Sequence, residues 1–331
     1  MSTLNGTLVS IADALKRRDP NNKTARIIEL LDKTSAVAKD MIWLEGNLPT
    51  GHRTTLRTGM PTVSWRNANE GVAKSKSTTS QSDVSCGMLE GRSEIDVDVA
   101  KLNGDVDAFR LSEAYAFLEK MNQEMEETLW YGNSTTAPKE FTGFQPQYES
   151  LTGTNGQNVV NADAADSSAN SSIWLIGWSE NTVHGIYPKG SEAGLSHQDL
   201  GEADAFDGSY NRFRAYIDLY QWKAGLVVRD WRYAVRIPNI GMTKLVAEAA
   251  DADLTKTMTK AIYRIPSLSA CRPVFYCNRS VLEYLDIQRQ KAVASGGGTM
   301  WGNVDGMNRP TFRGIPIQIS DSLLETEATV S

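Results

Sequence analysis

Three cysteines and three histidines are few for a chain of 331 residues. Cys86, Cys271 and Cys277 are odd in number and none stands two residues from another. A disulfide framework and a zinc-ribbon spacing are both ruled out, and free thiols in a reducing cytoplasm are the simplest reading. No run of about 18 apolar residues occurs, which excludes a spanning helix of that kind. The start, MSTLNGTLVSIADALKRRD, lacks the order of basic, apolar and small residues that marks a secretory signal. Surplus positive charge is missing too: the formal net charge is -6. That argues against a protein that coats nucleic acid through a concentrated basic patch.

The charge is unevenly placed. Residues 1–82 carry 12 Lys+Arg and 7 Asp+Glu, which is +5, and the rest of the chain carries 22 and 33, which is -11. A basic segment of this kind fits an acidic surface, its own or a neighbour's; the plainer alternative is a solvated face.

The candidates for chemistry fail one by one. GWSENTVHGIYPKG (177–190) sets Ser179, Glu180 and His184 close together, with His197 and Asp199 after them. A hydrolase using His184, His197 and Asp199 needs a nucleophile on a sharp turn, and WSENT has no glycine–serine–glycine frame. A structural histidine beside a strand is the expectation. As metal ligands, His184 and His197 stand thirteen apart, with only Asp199 and Glu202 nearby, and no histidine pair falls four apart. SGGGTMWG lacks the lysine and hydroxyl of a phosphate loop. Glu126 and Glu127 are adjacent on one helix and point apart. No catalytic, metal or cofactor site is expected.

Residues 8–18 have helical spacing at Leu8, Ile11 and Leu15, and 24–33 repeat a short amphipathic pattern. The strongest helix is 107–131, with Ala114, Phe117, Leu118, Met121, Met125 and Leu129 on one stripe. Its other face, Glu119, Gln123, Glu126 and Glu127, is expected to be wet or to meet a partner. Strands are expected at 93–102, in SIWLIGW, across 221–237 with a bulge or bend near Arg229-Asp230, in RPVFYC, and over 312–324, where Pro316 suggests an edge or bulge. A helix is expected over 252–264, and Asn278 caps another. The small polar residues of 152–172 predict an exposed loop, and 295–310 a glycine-rich one.

Residues 51–82, GHRTTLRTGMPTVSWRNANEGVAKSKSTTSQS, are rich in Thr, Ser, Lys and Arg and poor in large apolar side chains. TLRTGMPTVSW can run out as a strand, turn at NANEG and return through VAKSKSTT. A polar two-stranded arm of this length buries too little to stand alone. It is disordered or rests on another molecule, which favours assembly over catalysis.

Several blocks together resemble the major capsid proteins of tailed bacteriophages, particularly short-tailed ones: TLRTGMPTVSWRNANEGVAKSKSTTSQ, YGNSTTAPKEFTGFQPQY, SIWLIGWSENTVHGIYPKGSEAGLSHQDLGE, YQWKAGLVVRDWRYAVRIPNI and VFYCNRSVLEYLDIQ, with FRGIPIQISDSLLETEA near the end. The resemblance implies an α+β chain with the Hong Kong 97-type capsid fold. On that pattern 1–50 is an N-terminal arm, 51–82 the extended loop, 83–150 the peripheral-domain core with its spine helix at 107–131, and 151–331 the axial domain with the remaining peripheral strands. It implies a homo-oligomer of hexamers and pentamers closing an icosahedral shell around double-stranded DNA, with no sequence-specific DNA contact and no membrane. Scaffolding, portal and cement or decoration proteins are possible partners, and the shell is assembled in the host bacterial cytoplasm. Some relatives crosslink a loop lysine to an asparagine; Lys74 and Lys76 lie in the loop, but no crosslink is expected. Arg53, Arg57, Arg66, Lys74 and Lys76 are the expected contacts to carboxylates of adjacent subunits. The alternatives are a tail or decoration protein, which forms a small fixed oligomer, and the hydrolase.

Overall fold

The computed structural model describes residues 33, 36–102, 105–153, 155–207, 209–248, 252–293, 301–304 and 307–331. The helical patterns expected over 8–18 and 24–33 lie outside the described residues, apart from Lys33. The frame of the chain is β8 (Arg212–Val228), a strand long enough to belong to two regions at once. Its first part pairs antiparallel with β4 (Gly87–Asp96) on one side and β7 (Leu195–Phe206) on the other. Its last residues, Gly225 to Val228, pair with β6 (Val183–Tyr187). β6 in turn adjoins β5 (Asn170–Trp178) and takes the short β1 (Trp43–Glu45), after the single turn α1 (Val37–Asp40), as a parallel neighbour. β5 pairs antiparallel with β9 (Ala234–Gly241) and β10 (Arg272–Cys277). The sheet continues through β13 (Ile315–Ile319) and β12 (Met307–Phe312) to β11 (Trp301–Val304).

The helix α3 (Val106–Tyr131) lies over β4 and β8. Asp105 starts it by accepting the Ala108 N–H at 3.0 Å. Gly132 ends it at a close approach: a Cβ there would stand 2.6 Å from the carbonyl oxygens of Phe141 and Thr128. Ahead of it, residues 97–101 form a short helix, α2 (Val97–Lys101), where a strand to 102 was expected. Asp96 stops the strand by accepting the Asp98 and Val99 N–H groups. α4 (Met242–Val246), α5 (Leu254–Ile262) and α6 (Arg279–Val293) flank the far end of the sheet. Asn278 begins α6 as expected, accepting the Ser280 N–H at 3.2 Å.

Five other expectations are corrected. Glu126 is buried, not wet, and accepts the Ser320 hydroxyl at 2.7 Å. Residues 155–164 are not an exposed loop: Asn158, Val159, Val160, Ala162 and Ala164 are buried alongside β9, with the Val160 N–H on the Arg236 carbonyl at 2.8 Å. Residues 221–237 bend near Arg229-Asp230 as expected, but they are two strands rather than one, separated by a tight turn at Trp231–Tyr233 that Asp230 caps. The change in apolar phase is a change of strand, with β8 pairing β6 and β9 pairing β5. In the glycine-rich stretch, 301–304 and 307–310 are strand, and Pro316 stands inside the sheet opposite Thr311, one residue before β13 begins to pair with β10.

The core is aromatic. Trp130 of α3, Phe144, Tyr148, Trp174 and Trp178 of β5 and Tyr276 of β10 meet in tilted and edge-on pairs, with ring centroids 5.5 Å apart for Trp130 and Phe144. Such rings add packing specificity beyond their buried area. Beside them Arg236 is fully buried. It donates to Glu327 Oε2 at 2.9 Å, to the Tyr148 carbonyl at 3.0 Å and to Ser172 Oγ at 3.2 Å, and it stacks over Trp174. Tyr131 donates to the other Glu327 oxygen at 2.7 Å, and the Ser172 hydroxyl donates to the first.

Removing one member of a buried pair strands the other charge, at a cost of about 3–5 kcal/mol. Arg236→Met should therefore lower the urea-unfolding stability of the unassembled chain by that order. Arg236→Met with Glu327→Met should recover most of the loss. A single variant within about 1 kcal/mol of the parent would mean that the pair is dispensable.

Candidate functional site

The residues first suspected of chemistry do not converge. Ser179 sits in the turn between β5 and β6, its N–H bonded to the Val183 carbonyl at 3.2 Å. His184, on β6, is fully buried. Asp199, on β7, is held by Arg110 of α3 at 2.8 Å, and Arg110 also grips Asp218 of β8 at 2.8 Å. His197 puts Nε2 3.0 Å from Asp218 and stacks on Tyr220, with ring centroids 4.9 Å apart. The three residues of the hydrolase reading are not brought together: Asp199 holds Arg110, and His184 faces a different set of side chains. Among the described residues no three His, Cys, Asp or Glu side chains are grouped so as to hold a metal. Burial pushes the thiols of Cys86 and Cys271 up to about 11 and that of Cys277 to about 12. At neutral pH they are thiols and poor nucleophiles.

The polar arm is a hairpin. β2 (Gly51–Gly59) pairs antiparallel with β3 (Thr78–Ser85), from Gly51 opposite Ser85 to Gly59 opposite Thr78, with an irregularity between Arg57 and Gly59. Nine residues of strand run about 30 Å. Beyond them residues 60–77 continue without regular pairing. The two sides of this tip are joined by the Ser75 hydroxyl on the Thr62 carbonyl at 2.7 Å. The turn closes where Glu70 accepts the Asn67 N–H at 3.1 Å. Nearly every side chain of the hairpin is exposed, including apolar ones: Met60, Val63 and, at 102%, Trp65.

The five cations expected to face a neighbour are differently placed. Arg53 is opposite Asp83 across the hairpin and forms a two-bonded ion pair with it at 2.6 Å, so it serves the hairpin itself. Arg66 donates to the Glu70 carbonyl at 3.3 Å within the turn. Arg57, Lys74 and Lys76 are exposed and make no ion pair among the described residues.

The root of the hairpin escaped the reading from sequence. His52 of β2, His184 of β6 and Arg229 after β8 meet under it. The His52 and His184 rings stand edge to face at 6.1 Å, and Arg229 Nη2 lies 3.2 Å from His52 Nε2. Both nitrogens of His184 and Nδ1 of His52 are buried without a hydrogen-bond partner among the described residues. Burial, then the Arg229 charge, lowers the His52 ring and brings His184 down to about 4. At neutral pH both rings are uncharged. No sequence signal pairs residues so far apart, though a histidine opening a polar strand was a hint. Trp65 was legible as a lone aromatic among polar residues but was not singled out.

Residues 19–331 match the family described as "Major capsid protein GP7". No curated protein matches the chain. Among solved structures, the chain is similar to a chain from the near-atomic structure of bacteriophage Epsilon15, with a TM-score of 0.79 and 29% identity over 100% of this chain and 99% of that one. The bacteriophage JBD30 capsid gives 0.49 at 8% identity, covering 89% and 93%. A chain from Microbacterium phage Oxtober96 gives 0.44 at 12% identity, covering 69% and 98%.

The histidine pair carries a pH dependence whose sign is fixed. A free imidazole binds its proton near 6.5, whereas His184 in place binds it near 4. Between those values the opened root holds more protons than the closed one. The contribution to stability is complete above about 6.5 and declines as pH falls towards 4, by at most roughly 3 kcal/mol. His184→Leu removes two unpartnered nitrogens and should leave neutral stability intact or raised. Thermal unfolding from pH 7.5 to 4 should be less pH-dependent in that variant. Equal slopes in variant and parent would remove His184 from the account.

Proposed function

The chain belongs to the major capsid protein GP7 family, and from that premise we propose how it builds the shell of a phage capsid. It is a shell protein and part of the virion, present in many copies. The body of the chain supplies the wall of the shell, and the hairpin at 51–85 is the extended loop that crosses onto a neighbouring copy. The observation that carries this reading is the hairpin itself. It has no core, it exposes Met60, Val63 and Trp65, and Arg57, Lys74 and Lys76 have no anion in their own chain among the described residues. A surface of that make-up is completed by a partner of opposite charge.

The finer reading follows the same fold. Residues 1–50 are the N-terminal arm. α3, β4, β7 and the first part of β8 form the peripheral domain with α3 as its spine, and the other strands and helices from 151 onward supply the axial domain. Copies meet as hexamers and pentamers that close an icosahedral shell in the bacterial cytoplasm. Packaged double-stranded DNA touches the inner surface without sequence-specific contacts, as the net charge of -6 suits. Portal, scaffolding and cement proteins are the further partners, and the chain performs no catalysis.

The test is a triple charge reversal, Arg57→Glu, Lys74→Glu and Lys76→Glu, in a system where the parent forms shells. Closed particles should fall at least tenfold by electron microscopy and light scattering, while far-UV circular dichroism of the unassembled chain stays unchanged. Normal shells from the triple variant would refute the contact. Arg53→Glu should act differently, by loosening the hairpin, because its partner Asp83 is in the same chain.

A further inference from the structure

The described surface holds one cleft that suits the hairpin tip. It opens between the start of β4, the second half of α3 and residues 139–141, and encloses about 160 Å³. Met88, Met125 and Phe141 make its apolar wall, and Glu124, Glu140 and Lys139 line its mouth. Two thioethers and a phenyl ring form a slot with a preference for an aromatic guest, since sulfur packs favourably at ring edges. Met88 is 59% exposed, with the Gln221 amide donating to its sulfur at 3.3 Å, so among the described residues that side of the slot is only partly covered.

The guest with matching chemistry is Trp65. It is the most exposed large apolar side chain of the described residues, at 102%. Its ring N–H needs an acceptor once buried, and the mouth offers carboxylates. The tip, residues 60–77, carries Arg66, Lys74 and Lys76 against Glu70, a net +2. The mouth has two carboxylates to one ammonium, with Glu124 shared with Lys120 at 2.8 Å and Glu140 left to meet the tip. The cleft adjoins the root of its own hairpin, while the tip lies beyond about 30 Å of paired strand, so the tip must reach another copy.

We propose that Trp65 of one copy seats in the Met88–Met125–Phe141 cleft of a neighbouring copy. This rests on the reading of the hairpin as the loop that crosses to a neighbour, and names where it lands. Tip and cleft are different surfaces, so the contact is head-to-tail. Repeated around an axis it closes a ring, in which every cleft is filled and every tip is seated. Trp65 is the anchor of the contact and the charges at the mouth set its direction.

The experiment places the photocrosslinker p-benzoylphenylalanine at position 65 and assembles shells from a mixture of isotopically heavy and light chains. After irradiation, heavy–light peptide pairs joining position 65 to the peptides around Met88 or Phe141 are the expected product. Heavy–light pairs to any other surface would overturn the cleft and leave the crossing hairpin standing. Pairs within one chain only, or no product, would overturn both. In parallel, Trp65→Ala should cut shell yield at least tenfold, and Trp65→Phe should restore most of it. Parental yield from Trp65→Ala would sink the anchor role.

Discussion

Arg236 and Glu327 are ninety-one positions apart and meet with almost no solvent around them. Burying two such charges costs several kcal/mol per ion unless each is fully hydrogen-bonded. Here each bond goes to a different part of the chain. Ser172 belongs to β5, Tyr148 to the segment after α3, Tyr131 to the end of α3 itself, and Arg236 to β9. The Glu327 N–H adds a bond to the Asn170 carbonyl at 2.9 Å, tying the C-terminal segment to the head of β5. A charge pair of this kind is a poor source of stability compared with apolar packing, but it tolerates only one arrangement of the pieces around it. For a subunit repeated through a closed shell that is the useful property. A small error of angle in one copy is multiplied at every contact.

The hairpin is built on the opposite plan. The rigid body has tryptophans packed ring on ring, whereas the hairpin has threonine, serine and lysine facing water. Its internal order comes from the strand ladder, from the Arg53–Asp83 pair, and from Asn47, which exchanges two bonds with the Arg53 backbone at 2.7 and 2.8 Å. Exposed pairs of this sort contribute little, because water screens them. The hairpin is thus held in direction at its root and left free to be completed at its tip. The uncharged histidines beneath it fit that division. They fill the joint with a single hydrogen bond, between Arg229 and His52, in place of the network that locks the body.

The same contrast explains which parts of the fold were legible in the sequence. α3 could be read because its periodicity is local. Glu126 could not, since the partner that makes its burial tolerable, Ser320, lies 194 positions away. Residues 152–172 look exposed because they are small and polar, yet Asn158 and Asn170 are buried as donors to backbone carbonyls, a role that composition hides. Residues 97–101 alternate like a strand and also place Val97, Val99 and Ala100 on one side of a helix, so the Asp96 cap decides. The unusual polarity of 51–82 marked the hairpin as a feature without its own core. The pairing of Arg53 with Asp83, and of His52 with His184, follows from strand register and sheet order, which no local pattern encodes.

A chain that associates in many copies must also avoid associating wrongly, and its sheet edges are where that hazard lies. β7 and β4 are the outer strands of the three built around β8. An open strand edge invites another strand, and flat apolar edges invite it most. β7 carries Asp199, Glu202 and Asp204, together with an irregularity between Asp199 and Gly201, where Gly201 takes a φ of 70°. β4 carries Glu90, Arg92 and Glu94. Carboxylates and a break in register on β7, and alternating charge on β4, make edge-to-edge addition costly on both sides. With the edges closed in this way, the exposed apolar groups of the hairpin tip are a selective surface rather than a sticky one. They are few, they stand at the end of a polar stalk, and they are flanked by cations that favour an acidic partner. On the proposed contact, selectivity of assembly comes from what the edges refuse as much as from what the tip accepts.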